Sequence, residues 1–167
     1  MKSLVIYFSH TGENYMRNGI ENIDKGNTEI VAEYIKNIVN ADFFKVEPMS
    51  EYPYSYKECC DVAKKEIENN VLPDIKSRVD ISDYDVIYIG GPVWWGHYPC
   101  PMHTLLSKLD FSNKIVKPFT THEGSGLGSV LEDINKYCSG ATIKNGLAIR
   151  GSDAENSKSV IESWCNE

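Results

Sequence analysis

Residues 1–35 read MKSLVIYFSHTGENYMRNGIENIDKGNTEIVAEYI, and two periodicities meet in them. Leu4-Val5-Ile6-Tyr7-Phe8 is a continuous apolar run, the pattern of a short strand buried on both faces. Ile30, Val31, Tyr34, Ile35, Ile38 and Val39 then recur at helical spacing, with Glu29, Glu33 and Lys36 off that stripe. Between strand and helix stand Ser9-His10-Thr11-Gly12 and, well downstream, Gly26-Asn27-Thr28. Hydroxyls and glycines therefore occupy both ends of one long connection. The interval from Glu13 to Lys25 predicts an excursion whose ends return to one place.

Beyond residue 35 the alternation continues without a break. Phe43–Val46 reads as a second strand, and Tyr56 to Asn69 as a helix with Cys59, Val62, Ala63 and Ile67 inward. Asp85–Gly91 is a third strand, and Met102, Leu105, Leu106 and Leu109 mark a third helix. Ile115–Thr121 is a fourth strand with Pro118 near its centre. Val130, Leu131, Ile134 and Tyr137 form a fourth helix ended by Gly140. Thr142 to Ile149 is a fifth strand, and Val160, Ile161, Trp164 and Cys165 mark the last helix. Parallel strands need crossovers, and right-handed crossovers place helices on both faces. The expectation is an α/β fold: one doubly wound, five-stranded parallel sheet over residues 1–167. There is no internal repeat, low-complexity stretch or linker.

The chain has 167 residues, enough for one substantial core, and a formal net charge of −7. That charge argues against nucleic acid or an anionic membrane as a main partner, and suits a basic partner protein. No apolar run is long enough to span a membrane, and the start lacks the features of a signal peptide. Five cysteines, without a CxxC pair, argue against a disulfide framework or a metal site and for reduced thiols in the cytoplasm.

In open α/β sheets ligands bind beyond the carboxyl ends of the strands, where strand order reverses. After the first strand, Ser9-His10-Thr11-Gly12 offers hydroxyls and free N–H groups near a helix start, which suits a phosphate. Neither GxxxxGK[ST] nor GxGxxG is present, and the same residues also read as a helix cap with Asn27 or Thr28 as N-cap. After the third strand comes Gly90-Gly91-Pro92-Val93-Trp94-Trp95-Gly96-His97-Tyr98-Pro99. One tryptophan there packs down while the other walls a flat ligand. After the fourth strand, Thr121-His122-Glu123-Gly124-Ser125-Gly126-Leu127-Gly128 exposes backbone donors for the polar edge of a heterocycle. The implied ligand has a phosphate at one end and a planar hydrogen-bonding ring at the other. Flavin mononucleotide (FMN) meets that description.

YFSHTG with GNTEIVAEYI, GGPVWWGHYPCP and THEGSGLGS resemble the flavodoxin family over nearly the whole chain. The resemblance implies strand order 2-1-3-4-5, flavodoxin being a standard example of that order with FMN at the switch point. It also implies that Ser9, Thr11, Gly12, Asn27 and Thr28 hold the phosphate, with Asn14 competing for Asn27's contact. Pro92, Val93, Trp94 and Trp95 would line the ring, and Thr121, His122, Glu123 and Gly124 its other edge or the ribityl chain.

Two functions follow as expectations. One is electron transfer to a redox partner protein, with a mobile peptide at Gly96 answering the redox state of the ring. The other is an NAD(P)H oxidoreductase acting on quinones or similar small acceptors, with Tyr54, Tyr56 and Tyr98 as pocket walls. His97 and His103 read as solvated residues of a loop and a helix start. Both monomer and homodimer are compatible with the sequence.

Overall fold

The computed structural model describes residues 1–167. Strand β1 (Ser3–Tyr7) is an interior strand of the sheet. Leu4 and Ile6 point into one core and Val5 and Tyr7 into the other, so side chains alternating with period two are all buried. That is why the run is apolar without interruption. Leu4 pairs in parallel with Asp42 of β4 (Asp42–Lys45) and with Ile87 of β5 (Val86–Pro92). Strand β6 (Ile115–His122) pairs with β5 from Val86↔Ile115 to Pro92↔Thr121.

The far edge consists of two pieces, β7 (Thr142–Ile143) and β8 (Leu147–Arg150), both parallel to β6. The five expected strands thus lie in the order 2-1-3-4-5, with the fifth interrupted. The interruption, Lys144 to Gly146, lies opposite Lys117 and Pro118, where the edge spends one residue more than β6 does. Pro118 has no N–H to give its neighbours, and a ladder yields at such a point.

Helices α1 (Asn27–Val39) and α5 (Lys158–Cys165), with a 3-10 segment at Gly151–Asn156, cover the Val5/Tyr7 face through Val31, Ala32, Ile35, Ile161 and Trp164. Lys117 reaches into this side and donates from Nζ to the Trp164 carbonyl at 2.9 Å, placing its charge at the carboxyl end of α5. Helices α3 (Cys100–Leu106) and α4 (Val130–Tyr137) cover the other face with Met102, Leu105, Leu106 and Ile134. Helix α2 (Tyr56–Glu68) buries only Cys59 and Ala63, and Val62, expected inside, is exposed. Its N-cap is Ser55, whose hydroxyl accepts from the Glu58 N–H.

The excursion at 13–25 is an antiparallel hairpin of β2 (Gly12–Met16) and β3 (Gly19–Ile23), paired from Gly12↔Ile23 to Met16↔Gly19. It forms a separate two-stranded sheet. Its ends come back together, so the first strand still delivers the chain to α1.

Candidate functional site

The strand order reverses between β1 and β5, since the chain visits β4 on one side and then crosses to the other. Loops leaving β1, β5 and β6 meet there with the start of the 3-10 segment around a cavity of about 630 Å³.

At the β1 end, the short hydroxyl side chains hold the loop together. Ser9 Oγ accepts from the Glu29 N–H at 3.2 Å, so a first-turn donor of α1 is satisfied from across the hairpin. The N-cap is Gly26, which corrects the expectation of Asn27 or Thr28 at that position. Gly26 is needed because an added Cβ would stand 1.9 Å from Ser9 Oγ. The Thr28 hydroxyl is buried and lies 2.7 Å from that of Thr121, tying α1 to the end of β6.

Of the residues expected at the phosphate end, Asn27 lines the cavity, as does its alternative Asn14, whose amide donates to the His10 carbonyl at 3.0 Å. Ser9, Thr11, Gly12 and Thr28 are not in its wall. Thr11 opens with Ser9 onto a separate depression beside Lys45 and Lys76, and Gly12 lies under the Tyr54 ring.

The β5 loop contributes Pro92, Val93, Trp94 and Trp95 to the cavity wall. Trp94 and His97 exchange backbone hydrogen bonds of 2.8 and 3.1 Å around Trp95 (φ +52°) and Gly96 (φ +87°). This is a two-residue turn with both central residues left-handed, a conformation natural for Gly96 and strained for Trp95. Trp94 is anchored edge-on against Phe8 (5.3 Å), Tyr52 (5.0 Å) and His10 (5.6 Å). Trp95 is 53% exposed and turns to α2, its Nε1 donating to the Cys60 carbonyl at 3.0 Å.

Gly96 lies outside the cavity wall, and its carbonyl accepts from the Ser129 N–H at 2.6 Å. The carbonyl of the expected mobile peptide is therefore tied down. Beneath the turn, Asp133 accepts from His97 Nδ1 at 2.9 Å and from the Tyr98 N–H at 3.1 Å, and His103 Nε2 is 3.3 Å away. His97 and His103 thus flank a buried carboxylate and are not the solvated residues expected. Burial opposes ionisation of Asp133, but its contacts with His103 and His97 and the Tyr98 N–H outweigh it, holding the carboxyl below its usual range.

Tyr98 is fully buried, its hydroxyl 2.8 and 2.9 Å from the Ile89 and Phe119 carbonyls. It knits β5 to β6, which corrects the expectation of a pocket wall there. Tyr54 also lies outside the cavity wall; Tyr56 lines it.

The β6 loop supplies Thr121, His122, Glu123 and Gly124. His122 Nδ1 accepts from the Gly124 N–H at 2.9 Å. Burial, and then the Arg150 charge, lower the His122 pKa, favouring the neutral ring. Glu123 Oε1 accepts from the Ser152 N–H at 2.7 Å and from its hydroxyl. Its Oε2 is buried without a hydrogen-bond partner, and Arg150 Nη1 stands off at 3.8 Å. A buried carboxylate oxygen left without a donor is costly unless a ligand supplies one.

All five cysteines are free thiols, and burial pushes Cys59 and Cys100 up to about 12. Sequence reasoning missed the contribution of the hairpin and α2, which bring Tyr15, Lys57, Cys60 and Asp61 to the wall. The cluster of tyrosines at 52–56 was the one available signal, and it said nothing of a partner in the insertion.

A family model described as flavodoxin matches residues 2–167. The chain belongs to the flavodoxin family. Among solved structures, this family member is similar to a protein from Bacteroides eggerthii described as a candidate flavoprotein (26% identity, TM-score 0.78, covering 99% of this chain and 96% of that one). It is also similar to a flavoprotein from Lactobacillus acidophilus in complex with FMN (26%, TM-score 0.67, 93% and 97%). A Streptococcus pneumoniae flavodoxin shares the fold at 14% identity (TM-score 0.57, 100% and 97%). No curated protein matches this flavodoxin by sequence.

Proposed function

We propose that this flavodoxin binds FMN non-covalently in the cavity and passes electrons through it. The observation that carries the reading is Glu123 Oε2, a buried acceptor without a donor in the loop that borders the cavity. The imide N–H of a flavin ring and the hydroxyls of its ribityl chain are donors of the kind it lacks. An aromatic wall at Trp94 and Trp95 and the amides of Asn14 and Asn27 supply the other contacts such a molecule needs. The similarity to an FMN-complexed flavoprotein supports the same choice.

Bound FMN supplies one- and two-electron redox chemistry that side chains lack. The chain's part is to hold and orient it. Trp94 is fixed by its edge contacts, and Glu123 is aimed by Ser152. The neutral form favoured for His122 keeps that ring from adding positive charge at the loop.

Titration of the purified protein with FMN tests the reading. Quenching of flavin fluorescence with saturation at one equivalent is the expected result. Glu123→Gln keeps the shape while turning half the carboxylate into a donor, and weakens FMN about tenfold. No uptake of FMN would overturn the proposal.

A further inference from the structure

The cavity extends further than the three loops account for. Past Trp95 it continues along α2, where Tyr56, Lys57 and Cys60 line it, and under the hairpin, where Tyr15 does. The Tyr15 and Tyr56 rings are 5.9 Å apart and tilted by 36°.

This compartment has a built frame. Glu13 accepts from the Tyr56 N–H at 2.9 Å, and its own N–H donates to the Tyr54 carbonyl at 3.2 Å, fixing the hairpin base to the start of α2. At the hairpin tip, the Arg17 N–H donates to Ser152 Oγ at 2.8 Å, and the guanidinium reaches both Asp153 oxygens at 2.8 Å. The hairpin therefore bridges from α2 to the 3-10 segment, and both of these border the cavity. On the third side, Trp95 spans to α2 through its bond to the Cys60 carbonyl, with Lys64 Nζ 5.2 Å over its ring.

The walls select a ligand class. Tyr15, Tyr56 and Trp95 present aromatic surface to a flat ring. The phenols and the Lys57 ammonium are donors for carbonyl oxygens. On the hairpin and α2 side Lys57 is the only lysine or arginine in the lining, beside the acids Glu13 and Asp61, whereas the FMN phosphate belongs with the amides of Asn14 and Asn27. A nicotinamide dinucleotide, with its anionic pyrophosphate, finds no clamp there. We infer that the compartment between the hairpin and α2, walled by Tyr15, Tyr56 and Trp95, is a binding subsite for a neutral planar quinone. The inference rests on the flavin reading, since the subsite continues the same cavity.

The test uses the FMN-loaded protein, titrated with 2-methyl-1,4-naphthoquinone and followed by changes in the flavin absorption bands. Saturable binding is expected in the parent protein. Tyr15→Ala weakens it about tenfold, while Tyr15→Phe, which keeps the wall, stays within about threefold. Parent and variants are compared at equal flavin occupancy, with FMN in excess, because Tyr15 also lines the cavity assigned to FMN. If FMN binds and the naphthoquinone does not, or if Tyr15→Ala binds it as the parent does, the subsite is refuted and the flavin reading stands. Displacement of the naphthoquinone by NADPH overturns the choice of a neutral ligand. Failure to bind FMN at all removes both readings.

Discussion

The β5 loop and the β2–β3 hairpin border the same cavity, and they are held in opposite ways. The loop is tied from below: Asp133 takes His97 and the Tyr98 N–H, Ser129 takes the Gly96 carbonyl, and Trp94 is wedged among Phe8, Tyr52 and His10. These contacts are buried or half-buried, where a broken polar pair is left without water. The hairpin makes its own small sheet, and its ties to the rest of the molecule include Glu13 at its base, Tyr15 against Tyr56 and Arg17 at its tip. The Arg17–Asp153 pair is half exposed on both sides, so water competes with it. The loop is held by contacts away from water, and the tip of the hairpin by a pair that water reaches.

Removing the carboxylate under the loop is expected to have the largest effect. Asp133→Ala leaves His97 and the buried Tyr98 N–H without their acceptor and removes the carboxylate beside His103, and costs about 3–5 kcal/mol in urea unfolding. The same group sets an acid limit. Its folded-state pKa lies below the unfolded value, so its stabilisation is complete above the carboxyl range and is lost as pH falls through the depressed value. The urea midpoint of the parent therefore drops on acidification below about pH 4, and Asp133→Asn flattens that part of the profile. A profile unchanged by Asp133→Asn would show that the network does not hold the loop.

Trp94→Ala ranks next. Losing a half-buried ring that meets three aromatic neighbours costs about 3 kcal/mol. A variant as stable as the parent would mean that the loop does not depend on this wedge. Gly26→Ala tests the junction where hairpin and α1 meet. Its Cβ drives against Ser9 Oγ, with an expected cost of about 1–3 kcal/mol.

The smallest stability effect belongs to the hairpin tip. Arg17→Ala shifts unfolding by less than about 1 kcal/mol. Amide exchange nevertheless speeds up in the hairpin and not in the β5 loop. Equal exchange in both regions would erase the contrast between them.

Most of the fold was legible in the chain because its signals are local. Leu4–Phe8 is apolar throughout since both faces of β1 are covered, and Val31, Ala32 and Ile35 fall on one stripe since α1 has one buried face. The order of the strands came from family resemblance, as periodicity does not say which strands are neighbours. Pro118 pointed to a weak centre in the fourth strand, yet that strand is unbroken and its neighbour, expected to run from Thr142 to Ile149, is the one in two pieces, because the missing N–H is felt by the strand paired across from it.

The site was legible to the extent that it is made of loops directly following strands. Asn27, Trp94, Trp95, His122 and Glu123 do meet at one cavity. What each side chain is engaged with there was not legible, because hydrogen-bond partners lie far along the chain. Ser9 serves Glu29, Thr28 meets Thr121, and His97 meets Asp133. The tertiary structure alone decided that Tyr98 is core and that Tyr15 is wall. A tyrosine's sequence neighbours do not say whether its hydroxyl will find buried carbonyls, and a hairpin's own pairing does not say what it will lean against.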